Sequence, residues 1–179
     1  MKKILFIFIN ALLTSLFLIA CQSNTYVPSS PYTGEPLTIG IVGEAPKVRE
    51  KNVEFVSLTL NDLAEEKSEN LDAVFITKKH LPEAANSQYA DVYLNSPVPI
   101  VFINSDKVYL AFIDKDLSYE DAHDSKSGDY LIGYYNEQYF GVDLYDHKET
   151  KETIEDSYSR VFGLIETAKN TGEIIINPA

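Results

Sequence analysis

Leu37-Thr38-Ile39-Gly40-Ile41-Val42-Gly43 is a short apolar run closed by glycine, and its reading decides the fold. A run of this length, apolar on nearly every residue and stopped by a turn residue, is what a strand buried on both faces requires. Three more runs of the same kind follow: Val53 to Leu58, Asp72 to Thr77 and Ile100 to Ile103, the last preceded by Pro97-Val98-Pro99. Between them lie segments with helical signals. Asn61-Asp62 suits an N-cap for a short helix over Leu63 to Lys67. Lys78 to Tyr93 carries Leu81, Ala84, Ala85, Tyr89, Val92 and Tyr93 at helical spacing, with Pro82 in the first turn, where its missing N–H does no harm. Apolar strands alternating with helices predict a parallel sheet covered on both faces. The link between the first two strands, Glu44 to Asn52, is too short for a regular crossover helix.

After Asn104 the pattern changes. Val108 to Ile113, Tyr130 to Tyr135 and Tyr139 to Tyr145 read as strands, and Asn136-Glu137 between the last two suits a tight hairpin. An acidic loop, Asp114 to Asp129, separates the first pair. Thr150 or Thr153 caps a helix reaching about Asn170, with Ile154, Tyr158, Val161, Phe162, Ile165 and Ala168 on one stripe and Gly172 placed to stop it. Glu173 to Asn177 reads as a last strand. The expected fold is α/β: a three-layer Rossmann-like (flavodoxin-like), partly parallel sheet with an added antiparallel hairpin and a C-terminal helix, as one domain over 37–179.

In open sheets of this class, ligands favour the crevice beyond the carboxyl ends of the strands. Those ends supply Glu44 after Gly43, Thr77-Lys78-Lys79-His80, and Asn104-Ser105-Asp106. Glu44, Thr77, Lys78, His80 and Asn104 are therefore the candidate ligand-binding residues, chosen by position rather than by motif. As a general base, His80 would need a carboxylate to orient it, and none is adjacent in sequence. The competing reading is a solvated turn histidine.

No two histidines stand at metal-ligand spacing. The run Asp114 to Asp124 is rich in carboxylates but fails as an EF-hand, with Tyr119 where Gly is required and Ser125 where a bidentate Glu is required. It reads as a solvated acidic loop. Gly40 and Gly43 begin a dinucleotide fingerprint that Pro46-Lys47-Val48 does not continue, and no Gly-x-Ser-x-Gly elbow is present. No cofactor, metal site or catalytic residue is expected. Of the 12 tyrosines, Tyr130, Tyr134, Tyr135, Tyr139 and Tyr145 cluster in the hairpin. Strict alternation places Tyr130 and Tyr134 on one face and Tyr135 on the other. An exposed tyrosine face suits stacking on a sugar or a protein contact, and packing across the strands is the alternative.

The N-terminus supplies an address. Lys2 and Lys3 precede an apolar run, Ile4 to Phe17, and Leu18-Ile19-Ala20 leads into Cys21, the one cysteine of the chain. A charged start, an apolar stretch and small residues before a cut make a secretory signal. This one resembles the bacterial lipoprotein signal, whose Leu-x-Ala-Cys box is matched by Leu18, Ala20 and Cys21. The resemblance implies cleavage after Ala20, a diacylglyceryl thioether on Cys21, and a lipid anchor at the extracytoplasmic face of the cell membrane. Each buried CH₂ contributes about 0.8 kcal/mol, so two or more acyl chains anchor stably where one does not.

Residues 1–20 are then a signal peptide, and 21–36, rich in Ser, Thr, Asn, Pro and Tyr, a flexible tether. Of 15 basic side chains, 13 remain after loss of Lys2 and Lys3, against 27 acidic ones, a formal charge of −14 (13 − 27). Such an excess excludes nucleic acid as a partner and a face lying directly on anionic lipid. The expected function is a non-catalytic module of the cell envelope that binds a small molecule or an envelope protein. The alternative is an envelope hydrolase using the strand-end crevice around His80.

Overall fold

The computed structural model describes residues 26–65 and 70–176. The signal, the Leu-x-Ala-Cys box and Cys21 lie outside the described residues. Six strands form one mixed sheet: β1 (Leu37–Val42), β2 (Val53–Leu58), β3 (Ala73–Ile76), β4 (Ile100–Ile103), β5 (Asp129–Tyr135) and β6 (Gln138–Asp143), in the order β2-β1-β3-β4-β5-β6. The first four are parallel, and β5 and β6 follow as an antiparallel hairpin. Both central residues of its turn, Asn136 and Glu137, have positive φ, as a two-residue hairpin matching the sheet twist requires.

Helices cover both faces. On one lie α1 (Leu60–Ala64), α2 (Leu81–Ala84), α3 (Ser87–Leu94) and α4 (Leu110–Ile113), packed over Val74, Ile76, Ile100 and Phe102. On the other lies α5 (Lys151–Thr171), whose Tyr158, Val161, Phe162 and Ile165 pack over Ile39, Ile41, Phe75 and Val101. Thr150 caps α5 through a reciprocal bond with Thr153, and left-handed Gly172 ends it.

Several expectations are corrected. Val108–Ile113 is not a strand. Its second half is the single turn α4, which buries Ala111 and Phe112 and stacks Phe112 on Phe102 at 3.7 Å. A six-residue apolar run carries no period long enough to separate helix from strand. Glu173–Ile176 forms no strand either. The backbone N–H of Ile174 donates to the Gln138 side chain instead of to a neighbouring strand (2.9 Å), and Asn177 lies outside the described residues.

The helix expected over 78–93 is broken. A 3₁₀ turn, Lys78–His80, leads into α2, and Asn86 is extended (φ −65°, ψ 137°) before α3 begins. The short helix near 63 starts earlier than expected, at Leu60, because Thr59 rather than Asn61 is its cap and exchanges hydrogen bonds with Asp62.

Residues 26–36, read from composition as free tether, lie along α5. Tyr26 donates to the Glu152 carbonyl (3.3 Å), and Ser29 gives its N–H and hydroxyl to Asp156 (2.5 and 2.6 Å). Buried Tyr32 packs on Phe162, and the Glu35 N–H reaches Glu166 (2.7 Å). The physical reason is the helix-free link 43–52. It leaves this face of the sheet with α5 alone, and the strap, together with Val48, supplies the missing cover.

Candidate functional site

β5 runs against β4, and β6 runs back with it. The carboxyl edge of the sheet therefore collects the C-termini of β1 to β4 and β6, the start of β5 and the N-terminus of α5. Three hollows line this edge. The first, about 360 Å³, lies over the ends of β1 and β2 and is walled by Gly43, Thr59, Asn61, His80 and Glu83. It abuts the point between β1 and β3 where the strand order reverses, the usual ligand position in such sheets. Gly43 is there for lack of space: its φ is +112°, and a Cβ on it would stand 2.1 Å from Thr77 Oγ1 and 3.1 Å from His80 Cδ2. The Thr77 hydroxyl donates to the Val42 carbonyl (3.0 Å), tying the ends of β1 and β3 together.

The second hollow, about 500 Å³, opens over β4 and β5. Asn104, Asp106, Ser125, Gly128, His147 and Glu149 are among its walls. Asn104, Gly128 and His147 all have positive φ, as does Asp146 beside them. Such conformations cost energy in non-glycine residues and gather at ligand sites and switches. The Asn104 N–H donates to the Tyr130 carbonyl (2.6 Å), and His147 lies over Gly128, where a Cβ would come within 2.5 Å of Nδ1. The third hollow, about 650 Å³, lies at the start of α5 between Pro46, Lys47, Tyr130, Lys151, Ile154 and Tyr158.

Of the residues expected from sequence, His80 lines the first hollow, Thr77 stands behind its Gly43 wall, and Asn104 lines the second. Lys78 stands between the two, its ammonium 2.9 Å from Asp106. Glu44 is exposed and lines none of them. Gly128, His147 and Glu149 were not expected, and Tyr130 was expected only as part of the hairpin tyrosine cluster. They reach this edge only because β5 starts where the parallel strands end, and positive φ at His147 has no sequence signature.

Among the described residues His80 makes no hydrogen bond or ion pair with a carboxylate, and no hydroxyl hydrogen-bonds a histidine ring. Among the described residues no group of three or more metal-ligating side chains stands together, and no helix is long and apolar enough to cross a membrane. Two carboxylates of the acidic loop are engaged locally: Asp124 pairs with Lys107 (2.8 Å) and Asp121 accepts from Ser118 (2.7 Å). The Lys107 ammonium hydrogen-bonded to Asp124 holds that carboxyl below its ordinary range.

The tyrosines separate differently from strict alternation. A bulge between Asp129 and Leu131 shifts the parity of β5, so Tyr130 packs on the α5 side with Tyr135, while Tyr134 faces α4. Tyr109 stacks on Tyr134 (6.3 Å) and on Tyr139 (4.7 Å, 5° between planes), which leaves Tyr139 67% exposed beside an apolar hollow of about 380 Å³.

No family model matches the chain, and none of the curated proteins or solved structures compared with it matches.

Proposed function

We propose that this chain is an extracytoplasmic lipoprotein, held to the cell membrane through a lipid on Cys21, that binds a small polar ligand or a segment of an envelope protein in the carboxyl-edge crevice without transforming it. The observation that carries the reading is the second hollow. It is polar, open, walled by Asn104, Gly128 and His147 in left-handed conformations, and set at the carboxyl edge of the sheet, where ligands bind in folds of this class. The Leu18-x-Ala20-Cys21 box supports the address. Against the hydrolase alternative, among the described residues neither His80 nor His147 is joined to a carboxylate or a hydroxyl that would orient it as a general base.

Native mass spectrometry of the protein extracted from its own membranes tests the reading. Wild type is expected to carry an adduct beyond its lipid. Glu149→Trp, an exposed change at the rim of the second hollow, should lose it, whereas Asn170→Trp at the far end of α5 should keep it. A wild-type protein with no adduct, or one equally retained by Glu149→Trp, would contradict a ligand in this crevice.

A further inference from the structure

The strap has a direction. Its contacts pair Tyr26 with Glu152, Ser29 with Asp156, Tyr32 with Phe162 and Glu35 with Glu166, so it runs alongside α5 in the same sense. Tyr26 therefore leaves the domain at the N-terminus of α5, where its ring also packs, tilted, against Tyr145 (4.7 Å). That is the carboxyl edge, beside the second and third hollows. The fastening is strong: Asp156, buried, accepts both Ser29 bonds and pairs with Arg160 (3.0 Å), while Glu50 Oε1 accepts the Tyr32 N–H (3.0 Å) and the Ser159 hydroxyl.

Only five residue-to-residue steps separate Cys21 from Tyr26. Fully extended they reach about 17 Å. The 21 residues of α5 span about 31 Å from the carboxyl to the amino edge of the sheet. We propose that the docked strap holds the domain with its carboxyl edge, crevice included, facing the lipid surface; the inference rests on the lipidated Cys21 of the proposed function. With the amino edge against the lipid, Tyr26 would stand about 31 Å above it, beyond what five such steps can span. The occupant of this face is the bilayer headgroup surface across a thin aqueous layer, since the acidic body is repelled by anionic lipid at distances that salt screens beyond roughly 8–10 Å. The ligand then reaches the crevice along the membrane plane.

Lipidated full-length protein in vesicles of zwitterionic and anionic phospholipid tests this directly. With the sole native cysteine carrying lipid, a single introduced thiol takes a fluorophore specifically. Energy transfer to headgroup acceptors is read from Glu149→Cys at the carboxyl edge and from Asn170→Cys in the last turn of α5. Transfer is expected to be roughly threefold or more higher from position 149, given the ~30 Å between the sites. Combining each label with Ser29→Ala and Asp156→Asn, which unfasten the strap, should shrink that contrast while the protein still floats with vesicles. Equal or reversed transfer in floating wild-type protein would overturn the orientation alone, as would a contrast that survives strap release. Failure to float would overturn the anchor and the orientation with it.

Discussion

Gly43→Ala is expected to destabilise the domain by about 2–5 kcal/mol. An L-residue in a left-handed conformation costs roughly 1–2 kcal/mol, and forcing a methyl into a filled site roughly 1–3 more. The added Cβ would fall 2.1 Å from Thr77 Oγ1, so the hydroxyl bond that ties β3 to the Val42 carbonyl must break or the turn must move. Urea unfolding reads the loss as a lower midpoint at unchanged slope. Gly163→Ala is the control. It lies within α5 with nothing inside 4 Å of the added methyl, so it should gain about 0.5–1 kcal/mol. A neutral Gly43→Ala would mean that the β1 turn is looser than its geometry requires.

Asp156→Ala is expected to cost about 2–4 kcal/mol and to free the strap. Hydrogen bonds to a charged group contribute roughly 1.5–3 kcal/mol each, and Asp156 accepts two from Ser29 and one from Arg160. The total stays moderate because Arg160 keeps its pair with Asp143, Arg49 keeps the Ser159 hydroxyl, and both guanidiniums still reach water. Protease cleavage within 26–36 should rise sharply while the sheet remains folded.

The same carboxylate gives the strap a pH dependence. Burial pushes the Asp156 carboxyl up, but the Ser29 hydroxyl and N–H and the Arg160 guanidinium outweigh it and hold the group below its ordinary range. Its folded pKa thus lies below the unfolded value of about 3.9. The stabilisation is fully present above that value and is lost as pH falls through the folded pKa. Cleavage of the strap should therefore be constant from pH 5 to 8 (both about one unit or more above the unfolded value) and rise only in stronger acid. In Asp156→Asn the acid-dependent step should be absent.

Residues buried on both sides were the readable ones. β1, β3 and β4 are covered by α5 on one face and by α1 to α4 on the other, so nearly every position is apolar and the strands stand out as runs. The stripe from Ile154 to Ala168 exposed α5 in the same way. Val108–Ile113 was misread because a short apolar run fits one helical turn as well as a strand; in Leu110–Ile113 only Leu110 is exposed. The placement of Tyr130 failed because a single bulge reverses every later side chain, and no residue type announces a bulge. The strap was hidden for a different reason. Ser29 and Tyr32 look like solvated tether until Asp156, Glu50 and Phe162, more than a hundred residues away for two of the three, are brought against them. In the candidate site, Thr77, His80 and Asn104 were legible from strand ends alone. His147 and Glu149 were not, because their presence depends on the hairpin returning β6 to the same edge.

The anchor on which the function and the orientation both depend is tested most directly by the intact mass of the N-terminal peptide, taken from protein purified out of its own membranes. The account predicts a mature chain beginning at Cys21 whose sulfur carries a diacylglyceryl group. A chain beginning elsewhere, or an unmodified Cys21, would contradict it.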